Sequence, residues 1–236
     1  MAPRQRRESE ASPLRRWVLR PVKWLGILFL GYLVACALLL VAYRWVDPPA
    51  TTVQVQRLIE HAASGEPYRV AYAPVAEHAQ DDDARYAAVA SEDGRFFSHN
   101  GFDFEEIEIA REQARARGTR PRGASTITQQ LVKNLFLTTH RSWVRKGMEV
   151  PLTLMAEVIL PKERILTLYL NSVEWGPGVF GLEAAAQHHY GASASALSRE
   201  QAARLVAVLP DPLDRRPQNM GRTASRIQTR MRQMGW

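Results

Sequence analysis

The sequence predicts a mostly α-helical domain held behind one membrane-spanning helix. Three observations carry that prediction. Residues 24–43, WLGILFLGYLVACALLLVAY, contain no charged residue. From about residue 75 onward, Ala/Leu/Arg-rich segments recur with helical periodicity, with no alternating strand pair among them. Between the two lies VDPPATTVQ, whose proline pair forces extended backbone.

The apolar run comes first. At about 1.5 Å per residue, roughly 20 residues cross a hydrocarbon core of about 30 Å. Trp24, Tyr43 and Trp45 lie near its ends, where aromatic rings favour the interface. The run exceeds the roughly 7–15 apolar residues of a signal peptide, and no small-x-small cleavage site follows it. It is apolar on every face, unlike the core helix of a soluble domain. These features predict an uncleaved single-pass anchor. Arginine dominates the residues before it and the flank after it is much less basic, so the N-terminus is expected in the cytoplasm and the chain beyond about residue 46 outside. The expected organisation is a basic tail (1–23), an anchor (24–45), a linker with a short helix at VQRLIEHAA (46–69) and one domain (70–236).

With 236 residues and 46% hydrophobic content, the chain can bury a sizeable core. A net charge of +7 admits nucleic acid, anionic lipid or a phosphorylated substrate. Much of that charge sits in the N-terminal tail and the segments described next, which argues against nucleic acid. The single cysteine, Cys36, falls in the anchor, so neither an internal disulfide nor a cysteine-based metal site is available.

Three stretches carry chemistry. In AAVASEDGRFFSHNGFDFEEI (87–107), a small-residue helix runs into Glu92 and Asp93, and Gly94 can end it. Phenylalanines surround the turn. Either the carboxylates are solvated helix-end charges beside a phenylalanine core, or one is desolvated and raised into a useful acid–base range. His99 has no partner at metal-ligand spacing and reads as structural.

The second stretch, RGASTITQQLVKNLF (122–136), follows a basic helix and loop, AREQARARGTRPRG (110–123). Ser125 or Thr126 can cap the next helix, and Thr126 with Gln129 fits a capping box. The box leaves Gln130, Lys133 and Asn134 unexplained. Thr126, Gln130 and Lys133 share a face at i, i+4, i+7, while Ile127, Leu131 and Leu135 face a core. Free backbone N–H groups, hydroxyls, an amide and an ammonium on one face suit a phosphate or a sugar.

The third stretch runs from residue 141 to 191. Arg145, Lys146 and Glu149 lie within about one helical turn, an arrangement that an intrahelical ion pair also explains. A helix restarts after Pro161, EWGPGVFG forms a glycine-rich turn, and the adjacent His188 and His189 cannot face one metal from a helix.

In this order, SEDGRFFSHNGFD, RGASTITQQLVKNLF, RKGMEVPLTL and RILTLYLNSVEWGPGVFGLEAAAQHHYG resemble the motifs of peptidoglycan glycosyltransferases over roughly residues 70–215. One anchor and no following transpeptidase domain resemble the monofunctional, biosynthetic members. The resemblance implies a lysozyme-like, mostly α fold with a larger head and a smaller, membrane-facing mobile lobe. It implies polymerisation of lipid II into β-1,4-linked glycan, with inversion and release of undecaprenyl diphosphate, outside the cytoplasmic (inner) membrane on its periplasmic side. Glu92 matches the general base. Glu149 matches a second carboxylate that organises the leaving diphosphate, directly or through a divalent cation (Mg or Mn). Lys133, Arg145 and Lys146 match cations that contact the donor, and Ser125, Thr126, Gln130 and Asn134 line the same cleft. The implied partners are lipid II, the growing glycan, the bilayer, and proteins of cell division or elongation. Two competing readings are a membrane-anchored muramidase, which would cut polymer and need no lipid-linked donor, and a non-catalytic scaffold, which would tolerate loss of Glu92.

Overall fold

The computed structural model describes residues 13–65, 68–120 and 123–236, with side chains from residue 20 onward. Most of the expected basic tail and two residues of the loop before Gly123 lie outside the described residues. Helix α1 (Pro13–Tyr43) carries a 24-residue apolar span, Arg20–Tyr43, with mean hydropathy 2.7 and most of its surface open. Its length and composition suit a membrane crossing. One stripe is covered nonetheless: Cys36, Leu40 and Tyr43 are buried, and the Tyr32 hydroxyl donates to the Phe136 carbonyl at 2.9 Å.

After the proline pair, α2 (Thr52–Ser64) starts at a capping box. Thr51 accepts from the Gln54 N–H, the Gln54 side chain accepts from the Thr51 N–H, and Gly65 ends the helix in the left-handed region. The helices that follow are α3 (Asp82–Glu92), α4 (Phe104–Arg117), α5 (Ile127–Phe136), α6 (Trp143–Ile159), α7 (Lys162–Ser172), α8 (Leu182–Tyr190), α9 (Arg199–Val206) and α10 (Gly221–Gln233). Helix α5 packs between α6 and α7, α3 packs on α9 and α10, and α1 lies along α6. Fully buried Phe96, Ile127, Leu131, Leu152, Leu168, Tyr169 and Trp175 form the centre of the core. The helical periodicity of the sequence is thus met, with Ile127, Leu131 and Leu135 facing inward as their spacing predicts.

The expectation of no strand pairing is corrected. A small three-stranded sheet, in the order β1-β3-β2, joins β1 (Ala71–Tyr72), β2 (Glu174–Gly176) and β3 (Val179–Phe180). β1 runs parallel to β3, in register Ala71 with Val179, and β2 turns back antiparallel through the glycine-rich segment. Strands of two and three residues are too short to produce a visible alternation. Gly178 makes the hairpin possible. Its φ is +75°, and a Cβ there would lie 2.4 Å from the Arg69 carbonyl oxygen. Its own carbonyl accepts from the Ala71 N–H at 2.8 Å.

Gly178→Ala therefore combines left-handed strain with a backbone overlap and should cost at least about 2 kcal/mol. A lowered midpoint of thermal unfolding of the detergent-solubilised protein would report it. An unchanged midpoint would mean that the hairpin does not need glycine.

Candidate active site

The site forms where the end of α3 meets the start of α5. Asp93 closes α3, and it is buried. One of its carboxylate oxygens accepts from His99 Nε2 at 2.8 Å and the other from the Ile127 N–H at 3.0 Å. Ile127 opens α5, so its N–H is one of the donors that a helix start leaves unpaired, and a carboxylate there is favoured by the helix dipole. His99 Nδ1 accepts from the Gly101 N–H at 3.1 Å, which puts the ring proton on Nε2, facing Asp93. The histidine is structural, as its isolation in sequence predicts.

The same clasp aims Glu92. One oxygen of its carboxylate accepts from Gln130 Nε2 at 3.1 Å and the other from the Ser91 hydroxyl at 3.2 Å. The Gln130 carbonyl in turn accepts from the buried Tyr169 hydroxyl at 3.2 Å. Burial pushes the Glu92 carboxyl above its ordinary range, opposed by the two hydrogen bonds and by the charges of Lys133 and Arg215. Glu92 is half-buried and Asp93 buried, so neither is the fully solvated helix-end charge that the sequence also allowed. Phe96 is core and Phe97 is half exposed.

Lys133, one turn beyond Gln130, is half-buried, and its ammonium has no hydrogen-bond or ion-pair partner among the described residues. Burial pushes its ammonium down, Glu149 and Glu92 pull it up, and Arg145 and Lys146 push it further down. It therefore stands within the fields of both glutamates. Glu149 is buried on α6, paired with Arg145 Nη1 on one oxygen and with Lys146 Nζ at 2.5 Å on the other. Lys146 Nζ also lies 3.3 Å from the Ser125 hydroxyl, bridging α6 to the loop before α5. The intrahelical ion pair anticipated from spacing is present, and it is buried at the carboxylate end.

Of the nine residues picked out from sequence, Glu92, Gln130, Lys133, Glu149, Arg145, Lys146 and Ser125 are linked by these contacts and fields. Thr126 is buried in the capping box: its hydroxyl accepts from the Gln129 N–H at 3.2 Å and donates to the Gly101 carbonyl at 2.7 Å. It thus shapes the cleft wall through the backbone. Asn134 is also buried, and its side-chain nitrogen has no partner among the described residues. Sequence reasoning passed over four contributors and left a fifth, Asp93, undecided. Tyr169 sits in an apolar helix and looks like core. Asp93 was indistinguishable from a solvated helix-end charge. Arg215 comes from a proline-punctuated turn, and Arg230 of α10 lines the cavity beside Glu92 and Ser125. Arg141 joins Arg145 and Lys146 around an open groove at the start of α6, beside a Trp143 that is 93% exposed.

Among the described residues, the candidate ligand groups for a divalent cation are already engaged. Ligand atoms of Asp93, His99 and Asp103 lie within 4.8 Å of one another. In that tautomer His99 Nε2 carries a proton toward Asp93 and the Nδ1 lone pair is taken by the Gly101 N–H, and Asp103 is held by Arg95 and by the Glu106 N–H. Both oxygens of Glu149 already face cations.

Residues 60–235 match the family model described as Transglycosylase. The chain belongs to the transglycosylase family. It is accordingly a glycosyl-transferring enzyme, in agreement with the resemblance seen in its motifs. Three similar proteins bear the name biosynthetic peptidoglycan transglycosylase. That of Chromohalobacter salexigens is 46% identical over 225 residues, covering 94% of this chain and 96% of the relative. That of Pseudomonas fluorescens is 49% identical over 194 residues, covering 82% and 78%. That of Ectopseudomonas mendocina is 42% identical over 226 residues, covering 94% and 90%.

The raised Glu92 carboxyl has a consequence for stability. In the folded state it holds its proton to higher pH than in the unfolded chain, so stability is lost as pH rises through that window. At neutral pH the partly desolvated carboxylate is a net cost. Glu92→Gln keeps the shape and removes the charge, and should raise the thermal midpoint at pH 7 while leaving it little changed at pH 4. A lower midpoint at pH 7 would contradict the desolvation argument.

Proposed function

We propose that the chain polymerises lipid II into β-1,4-linked glycan, with inversion at the donor carbon and release of undecaprenyl diphosphate. The observation that carries this reading is the pairing of a desolvated glutamate with a separate basic cluster, spanned by one half-buried lysine. Glu92 takes the proton of the acceptor's GlcNAc 4-hydroxyl. That oxygen bonds to the donor's anomeric carbon as the bond from that carbon to the diphosphate oxygen breaks. The electron pair leaves with the diphosphate, whose growing charge needs cations already in place. Lys133, without a direct partner, is free to supply one. Arg145 and Lys146 supply more, and Glu149 holds those two side chains in position until the diphosphate arrives. Gln130 orients Glu92 and is itself oriented by Tyr169. Ser125 and Asn134 offer polar groups to the sugars, and Thr126 keeps the loop before α5 in shape. A muramidase would have no diphosphate for this cluster to meet.

The same reading places α1 across the cytoplasmic (inner) membrane, with the N-terminus inside and the enzyme domain on the periplasmic side. Trp143, Val144, Val150, Leu154 and Val158 are exposed on α6, the helix along which α1 lies. That apolar surface suits the bilayer where a lipid-linked donor resides. Proteins of division or elongation are candidate partners of the anchor.

Labelled lipid II and the full-length protein test the reading. Wild type should make long glycan, and Glu92→Gln should lose about 10²–10⁴ of the rate. Equal rates would remove Glu92 from the mechanism, and cleavage of preformed glycan without polymerisation would replace transfer by hydrolysis. The pH profile gives a further test. Glu92 acts deprotonated, so activity falls on the acid side through its raised pKa. Lys133 pulls that pKa down, so Lys133→Met should move the acid limb to higher pH as well as slow the reaction. A limb that stays in place would separate Lys133 from Glu92.

A further inference from the structure

Helix α2 lies in the segment expected to be a linker with a short helix, and its Gln56 precedes the residues that match the family model. The helix grips the end of α5 and the turn that follows. The Thr52 hydroxyl donates to the Leu135 carbonyl at 2.7 Å, satisfying an acceptor that the end of a helix leaves open. Gln56, 9% exposed, holds Thr139 at both ends of its amide. Its Oε1 accepts from the Thr139 N–H at 2.8 Å, and its Nε2 donates to the Thr139 hydroxyl at 2.7 Å. The second Nε2 proton goes to Glu60 at 2.6 Å. Glu60 is paired with Arg57, and Arg57 with the buried Glu174 of β2, so the amide is backed by an ion-pair chain reaching the sheet.

The residue after Thr139 touches the site. The His140 carbonyl accepts from Arg145 Nε at 2.7 Å. The Arg145 guanidinium is therefore fixed at two points, Nε by His140 and Nη1 by Glu149. A planar guanidinium so fixed has one orientation. We propose that Gln56 is a positioning residue: by clasping Thr139 it fixes the His140 carbonyl, and through it aims Arg145 at the leaving diphosphate. This rests on the reading of Arg145 given above.

The test uses the full-length protein and labelled lipid II. Gln56→Leu keeps the volume and removes the clasp. It should lower kcat roughly tenfold, the equivalent of about one hydrogen bond, with KM within about twofold. Combined with Arg145→Ala, the added loss should shrink to less than about twofold, because residues acting through one another are not additive. Thr139→Val, a smaller change, should show the same coupling if Gln56→Leu folds poorly. Independently of turnover, the Arg145 Nε–H resonance should exchange slowly with solvent in wild type and faster in Gln56→Leu. Multiplicative losses, an unchanged kcat, or unchanged exchange would overturn the positioning role. A wild type that makes no glycan would overturn the lipid II reading alone, and the exchange measurement would still decide for or against Gln56.

Discussion

The site depends on one buried carboxylate that joins two helix ends. Asp93 takes the first N–H of α5 on one oxygen and the His99 ring on the other. Without that joint, the end of α3 and the start of α5 would be two separate helix ends, each with unsatisfied backbone groups. With it, Glu92 follows a fixed path and meets Gln130 at 3.1 Å. The loop at Gly101 completes the joint. Its φ is +85° and a Cβ there would lie 2.6 Å from the Thr153 methyl, so only glycine lets the loop press on α6 while giving its carbonyl to Thr126. Four elements meet within a few residues, and the joint itself is made of backbone groups, a histidine, an aspartate and a threonine.

Charge is distributed around this joint with a clear division. Glu149 is saturated by two cations, whereas Glu92 receives only neutral donors and the more distant fields of Lys133 and Arg215. The first arrangement fixes two cations on one carboxylate. The second leaves Glu92 without a direct cation, with its carboxyl raised by burial. The two glutamates thus differ in their partners, and Lys133 stands within the fields of both.

How much of this was legible in the sequence follows from range. Local devices were readable: the Thr126–Gln129 capping box, the inward face of Ile127, Leu131 and Leu135 and the Arg145–Lys146–Glu149 turn depend on spacings of three to four residues, and the apolar span of α1 is one continuous run. Motif resemblance supplied the expected roles of Glu92 and Lys133, which spacing alone left open. Contacts between distant segments were not readable. Tyr169 reaches Gln130 across 39 residues and Gln56 reaches Thr139 across 83, and neither leaves a periodic trace. The β1–β3 pairing failed to show for a different reason, since two residues cannot alternate.

Helix α5 is held at both ends by unlike partners. Its start belongs to Asp93. Its last carbonyls belong to the segments that lead in from the N-terminus: Thr52 binds Leu135, Tyr32 binds Phe136, and the Tyr43 and Phe136 rings stack with centroids 6.5 Å apart. Arg164 adds a second hold on the base of α1, donating to the carbonyls of Tyr43 and Val46 at 2.7 Å each. The stripe Tyr32, Cys36, Leu40, Tyr43 therefore joins the apolar helix to the enzyme domain by packing and hydrogen bonds, where a flexible tether would leave the domain free to tumble. On the proposed membrane placement, the register of α1 in the bilayer sets the height of α5, and with it the depth at which Lys133 waits for a diphosphate at the headgroup level. The anchor then has a role in the chemistry that tethering alone would not require.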